Sequence, residues 1–156
     1  MRRRKAETRP LIPDLKYSSK SVTRFINMVM IKGKKTKAEH IIYGALDILI
    51  KKTGKKDPME ILNKAIDNVR PLLEVKSRRV GGATYQVPLE VKQDRGVYLA
   101  LRWMRDYARN RKGRPMGDKL ADEILEAYKG EGSAVKKKEE THKMAESNRA
   151  FSHFRW

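Results

Sequence analysis

The stretch SRRVGGATYQVP, residues 77–88, sets Arg78 and Arg79 just before the Gly81-Gly82 pair, with Tyr85 and Pro88 following. Guanidinium groups hold phosphate in two-point geometry and stack on flat rings, so arginines at a tight turn beside a tyrosine suit nucleic acid. The same chemistry recurs along the chain. Basic clusters stand at 2–9 (Arg2, Arg3, Arg4, Lys5, Arg9), 32–37 (Lys32, Lys34, Lys35, Lys37), 76–79 (Lys76 with the two arginines), 102–114 (Arg102, Arg105, Arg109, Arg111, Arg114) and 136–138 (Lys136, Lys137, Lys138). One charge run is ordinarily a solvated face, but this many runs with few acids between them exceed what solubility requires. Phosphate contact accounts for them, because each neutralised phosphate releases condensed counterions.

Catalytic and metal chemistry lack material. The histidines are His40, His142 and His153, with no His-x-x-x-His pair, and cysteine is absent, which excludes disulfides and thiolate metal sites. His40 reads as a structural residue of a helix. GKKT at 33–36 fails as a phosphate loop, because position 28 is Met where a glycine is needed and Lys35 separates Lys34 from Thr36. Asp118, Asp122, Glu123 and Glu126 read as the solvated outer face of a helix turned away from nucleic acid. No nucleophile, base and orienting group come together. The chain is expected not to be an enzyme and to need no cofactor and no metal.

The totals agree. Lys plus Arg number 37 against 19 Asp plus Glu, a net charge of +18 over 156 residues. Self-repulsion at that charge opposes the compact state, and a polyanion relieves it; an anionic membrane surface is the weaker option. Hydrophobic residues make up 39%, enough for one modest core, so 1–156 is expected to be a single domain. No stretch approaches the apolar length of a membrane span. The start, MRRRKAETRP, has no apolar run behind it and does not read as a secretory signal. An intracellular protein is expected.

The elements that must position the cations are mostly helical. Residues 1–20 read as an extended basic arm. Val22, Phe25, Ile26, Val29 and Met30 give the first helix, 21–31, an apolar face, with Gly33 as its stop. Thr36 and Glu39 have capping-box spacing at the start of the second, and Gly54 ends it. Asp57, Pro58 and Glu60 open the third, and Pro71 closes it. A hairpin follows at 73–91, its turn on Gly81-Gly82, which sets Arg78 opposite Tyr85 and Lys76 opposite Val87. An isolated hairpin is marginal in water, so its base should lean on the helices while the tip projects. The fourth helix, 94–110, carries Val97, Ala100, Leu101, Met104 and Ala108 on one arc and Arg102, Arg105, Arg109 and Lys112 on the neighbouring one. The fifth spans 117–128. The last, 133–148, is polar all round and weakly stable unless it docks. Its tail, NRAFSHFRW, is rich in aromatics. The fold class is therefore mainly α, about six helices with one extended two-stranded β-hairpin arm. Tyr107 and Tyr128 read as core; Tyr85, Trp103 and the tail aromatics either pack or stack on unpaired bases.

Two architectures fit a helical body with a basic β-ribbon. A DNA-bending protein inserts such an arm in the minor groove, usually as a dimer with an apolar wedge. An RNA-clamping protein uses the body to hold helices and the arm to reach a neighbour. The tip here offers glycine and Val80, no large wedge, and basic tails at both ends suit an irregular RNA surface better. The motifs KSRRVGGATYQVP, FINMVMIKGKKTKAEHIIYGAL, ALRWM and GSAVKKKEETHKMAESNRAFSHFRW, in this order along nearly the whole chain, resemble the bacterial form of the small-subunit ribosomal protein seven family.

That resemblance implies a structural, rRNA-binding protein of the cytoplasmic ribosome that takes part in translation. It would bind the 3′ major domain of small-subunit rRNA directly, nucleate head assembly and lie near the mRNA exit channel and E-site tRNA. It would sit as a monomer among neighbouring proteins of the head and platform, with no membrane partner. Carried onto this chain, rRNA contacts would come from Arg2, Arg3, Arg4, Lys5, Arg9, Lys32, Lys34, Lys35, Lys37, Lys76, Arg95, Arg102, Arg105, Arg109, Arg111 and Arg114. Arg78, Arg79, Gly81, Gly82, Tyr85, Lys136, Lys137, Lys138 and Arg149 would lie close to mRNA and E-site tRNA.

Overall fold

The breaks between helices follow from local chemistry. In the computed structural model, which describes Arg4, Ala6, Glu7 and 10–154, the elements are α1 (Lys20–Val29), α2 (Lys35–Thr53), α3 (Pro58–Val69), β1 (Leu73–Val80), β2 (Ala83–Glu90), α4 (Gln93–Asn110), α5 (Met116–Lys129), α6 (Ser133–Ser147) and a terminal 3₁₀ turn (Arg149–Phe154). Asp57 caps α3 as expected: its carboxylate accepts the Met59 N–H at 2.8 Å, and Pro58 occupies the first turn, where no donor is needed. Arg70 turns extended ahead of Pro71 and ends the helix. Gly54 ends α2 in the left-handed conformation, its N–H on the Ile50 carbonyl.

Two expected boundaries differ. Helix α2 starts at Lys35, so Thr36 lies inside it, and no side chain caps Lys34. Glu39 is drawn instead to Lys35, one turn earlier, at 3.7 Å. Helix α1 stops at Val29 with Met30 already extended, before Gly33. Its end is held from outside: Arg105 and Arg109 of α4 donate to the carbonyls of Met28 and Val29 at 3.3 and 3.1 Å. These satisfy carbonyls that a helix C-terminus leaves unpaired.

All six α-helices contribute to one contiguous core, with Phe25, Ile42, Leu46, Leu49, Ile61, Leu62, Leu101, Met104, Leu120 and Ile124 at 1% exposure or less. Each such side chain contributes roughly 1.5–3 kcal/mol by burial. Helix α6 joins through small residues, Ala134, Thr141 and Ala145, beside Val135, which allow close approach despite its polarity. Polar ties complete the docking: Lys138 donates to the Asn68 carbonyl at 2.7 Å, and the Asn68 amide donates to the carbonyls of Ala127 and Tyr128.

The acidic face of α5 is not the solvated patch that its composition suggests. Glu123 is 1% exposed and bridges two elements: one carboxylate oxygen accepts from Arg111 and the other from the Ala134 N–H at 3.1 Å. The Ala134 N–H is one of the donors left free at the start of α6, and the negative charge also suits the positive end of that helix. Asp122 pairs with Lys52 and Arg114, and Glu126 with Arg111.

The hairpin has the expected register, Arg78 opposite Tyr85 and Lys76 opposite Val87. Gly81 and Gly82 both take positive φ, 57° and 93°, which a two-residue turn of this hand requires and side chains resist. With eight residues per strand, the arm is about 26 Å long. Its base is fixed: Val87 and Pro88 are buried and the Val91 N–H donates to the Leu72 carbonyl at 2.9 Å. At the N-terminal side, 10–19 form a strap tied by Asp14, whose carboxylate accepts from the N–H groups of Lys16 and Tyr17 and from the Tyr43 hydroxyl at 2.6 Å. That hydroxyl bond, with burial, pushes the Tyr43 phenol up to about 12.

Candidate nucleic-acid interface

The cations expected to meet RNA fall into two groups, those already neutralised by an acid and those that are not. On α4, Arg95 pairs with Glu74 at 3.3 Å, Arg102 with Asp106 at 3.7 Å and Arg105 with Asp106 at 2.5 Å. Arg105 and Arg109 also hold the α1 terminus, so they are structural donors as well as surface charges. Arg111 is committed to Glu123 and Glu126, and its pKa is raised by those partners, chiefly by the bond to Glu126. Arg114 faces Asp122, whose carboxyl is held below the usual range by its bond to Lys52. Lys35, Lys76 and Lys137 pair with Glu39, Glu74 and Glu140.

Other cations expected to meet RNA make no ion pair among the described residues, and these stand around the start of α2, on the arm and on α6. Lys32, Lys34 and Lys37 are exposed and make no ion pair among the described residues, and Lys32 holds a positive φ of 53°. Arg79, Gly81 and Gly82 are exposed at the tip, as is Lys136 on α6. Arg4 is exposed; Arg2, Arg3, Lys5 and Arg9 lie outside the described residues.

Tyr107 and Tyr128 pack as expected, and tertiary contacts decide the aromatics that the sequence leaves open. Trp103, Tyr107 and Tyr128 all pack against the core. Tyr85 is covered by the terminal 3₁₀ turn, its ring 5.2 Å from Phe151 and 4.9 Å from Phe154, and Arg78 donates to the Phe154 carbonyl. The aromatic tail thus folds back on the arm. Arg149 lines a groove of about 710 Å³ at the hairpin base, with Leu72, Pro88, His142 and His153 along its walls.

His142 had no assigned role in the sequence. Its Nε2 accepts the Leu72 N–H at 2.9 Å, tying α6 to the hairpin base. Burial, then the nearby Lys138 charge, holds its pKa below the ordinary 6.5. A neutral acceptor is needed, so this tie contributes fully above pH 6.5 and is lost as pH falls through the lowered folded value. Amide exchange at Leu72 is expected to accelerate on acidification in the wild type and to be fast at all pH in His142→Ala. Protection at Leu72 that does not change between pH 7 and pH 5, beyond the intrinsic rate, counts against the tie.

Among the described residues, no helix is long and apolar enough to cross a membrane, and no group of three or more His, Cys, Asp or Glu side chains could hold a metal ion. The pattern of the family described as ribosomal protein S7p/S5e matches residues 1–149. Proteins named small ribosomal subunit protein uS7 are similar over the full length. That of Thermotoga petrophila is 59% identical over 156 residues, and that of Thermotoga maritima 58%, each covering 100% of both chains. That of Pelotomaculum thermopropionicum is 57% identical over 155 residues, 99% of each chain. The core, the hairpin and the basic loop all fall inside the matched region, and the chain belongs to the ribosomal protein S7p/S5e family.

Proposed function

We propose that this chain, a structural and non-enzymatic constituent of the small ribosomal subunit, binds the 3′ major domain of small-subunit rRNA directly and nucleates assembly of the head. The helical body, read with its arm and tails as one RNA-binding domain over 1–156, is the anchor. The hairpin tip and the C-terminal segment reach toward mRNA and E-site tRNA. One observation carries the reading: Lys32, Lys34 and Lys37 around the start of α2, and Arg79 near the end of a long, base-fixed arm, are exposed and make no ion pair among the described residues, while Asp122, Glu123 and Glu126 of α5 are engaged by basic partners within the protein. Phosphate is the counter-charge that this distribution lacks.

The arm and the body then have separable roles. Deletion of 78–84 is expected to leave affinity for the isolated rRNA junction within a few-fold of wild type, while changing tRNA or mRNA events on assembled subunits. The deletion also removes the Arg78 bond to the tail, so melting temperature is measured alongside. Footprinting of small-subunit rRNA with the purified protein tests the anchor itself. Equal affinity for random duplex DNA and for the rRNA junction at matched salt would sink the proposal, as would loss of junction binding on deleting the tip.

A further inference from the structure

We infer that the cleft between α1 and α4 is a pocket for one unpaired nucleobase, stacked on Tyr98. The inference rests on the rRNA-binding reading above and deepens it. On a helix turning about 100° per residue, Arg95, Tyr98, Arg102, Arg105 and Arg109 lie within an arc of about 80°. A tyrosine therefore stands in the middle of the arginine stripe. The residue is 41% exposed, and no ring of another aromatic covers it among the described residues. The Arg95 guanidinium lies 5.3 Å from the ring centroid, steadying it while keeping positive charge beside it.

The ring borders a cleft of about 380 Å³ whose other walls are Arg24, Asn27, Met28 and Asp94. Each wall has a use for a base. Tyr98 supplies a flat face, and the Met28 thioether supplies a polarisable apolar contact. Asn27 is exposed and makes no side-chain hydrogen bond among the described residues, so its amide can both donate to and accept from a base edge. Arg24 donates to Asp94 at 3.0 Å at the cleft mouth, and the Asp94 side chain is 87% exposed. A carboxylate there favours a base edge carrying an exocyclic amine and disfavours uracil. Arg102, about one turn further along the same arc, then meets an adjacent phosphate. A protein side chain would find the walls of this cleft equally open, but the surrounding stripe is cationic, which favours a polyanion.

The test uses full-length protein and a transcript of the rRNA junction, with affinity measured over a salt series and nucleotide reactivity probed chemically. Tyr98→Ala is expected to weaken binding about tenfold to hundredfold, as loss of one base stack does, without changing the salt slope. Tyr98→Phe stays within about twofold, since the hydroxyl is not needed for stacking. One unpaired nucleotide protected by wild type becomes reactive with Tyr98→Ala, and replacing that nucleotide by uracil weakens wild-type binding. Melting temperatures of both variants report any loss of fold. A wild type that prefers the junction while Tyr98→Ala binds equally well, with no reactivity change, overturns the pocket alone. Unchanged RNA affinity with weakened binding of a neighbouring ribosomal protein assigns the cleft to a protein and also overturns it. A wild type without preference for the junction overturns the rRNA reading and the pocket with it.

Discussion

Glu123→Ala is expected to lower the unfolding free energy by about 3 kcal/mol or more, a drop of about 6–12 °C in melting temperature for a chain this long. The carboxylate is almost fully buried and answers two donors at once, the Arg111 guanidinium and the Ala134 N–H. Truncation leaves Arg111, partly withdrawn from water, with Glu126 as its one remaining acid among the described residues, and an unpaired N–H at the start of α6. The Arg111 side chain is 30% exposed, so water relieves part of the loss and the effect falls at the low end of the range for broken buried pairs. Glu123→Gln keeps an acceptor for Ala134 but removes the charge opposite Arg111, and is expected to be intermediate. The double variant Glu123→Leu with Arg111→Met removes both charges and is expected to recover much of the stability. Thermal unfolding of the three proteins checks this. A Glu123→Ala protein that melts within about 1 °C of wild type, well inside the shift expected here, excludes the tie.

Raising monovalent salt from 50 to 200 mM is expected to weaken rRNA binding by about 10³–10⁵-fold, the change that about six to ten phosphate contacts produce. Not every cation contributes equally. Lys34→Ala with Lys37→Ala removes two exposed charges that make no ion pair among the described residues, and is expected to reduce the slope of log affinity against log salt by about 1.4–1.8. Arg114→Ala removes a charge whose field Asp122 already cancels at 3.0 Å, and is expected to change the slope far less. Equal slopes for the two variants would mean that the internal pairs break on RNA binding and every basic residue is available.

Residues close in sequence were the legible ones. The Asp57-Pro58 start and Pro71 stop of α3, the Gly54 cap and the Gly-Gly turn each need only neighbours within four positions, and all are found where the spacing puts them. The hairpin register follows from the turn alone. Glu123 reads as solvent-facing because Asp118, Asp122 and Glu126 surround it in sequence. Its partners, Arg111 and Ala134, lie on other elements 12 and 11 residues away, beyond helical periodicity. A signal was nevertheless present: Glu123 is three residues after Leu120 and four before Ala127, on the buried arc of α5.

Tyr107 and Tyr128 pack as expected, but the sequence leaves the other aromatics open for the same reason. Whether Trp103 packs, whether Tyr85 is covered and whether Tyr98 stands open depend on which helix or tail lies beside them. The state of each charge is hidden in a related way. Composition counts Arg111 and Arg114 with the loop lysines, whereas only tertiary contacts show which are already answered by acids. The basic arm at 1–20 shows the local limit again, since the Asp14 ties that shape 12–17 include Tyr43, 29 residues on.

The folded-back tail sets an order of events during synthesis. The hairpin is complete at Glu90, but the turn that covers Tyr85 begins only at Arg149, roughly 60 residues later, or about 3–12 s at ordinary elongation rates. Throughout that interval the arm has been synthesised without Phe151 and Phe154. An uncovered two-stranded ribbon with a bare tyrosine is marginal on its own. Nascent chains of this protein therefore pass through a window in which the arm is unbraced, and that window closes from the C-terminal end.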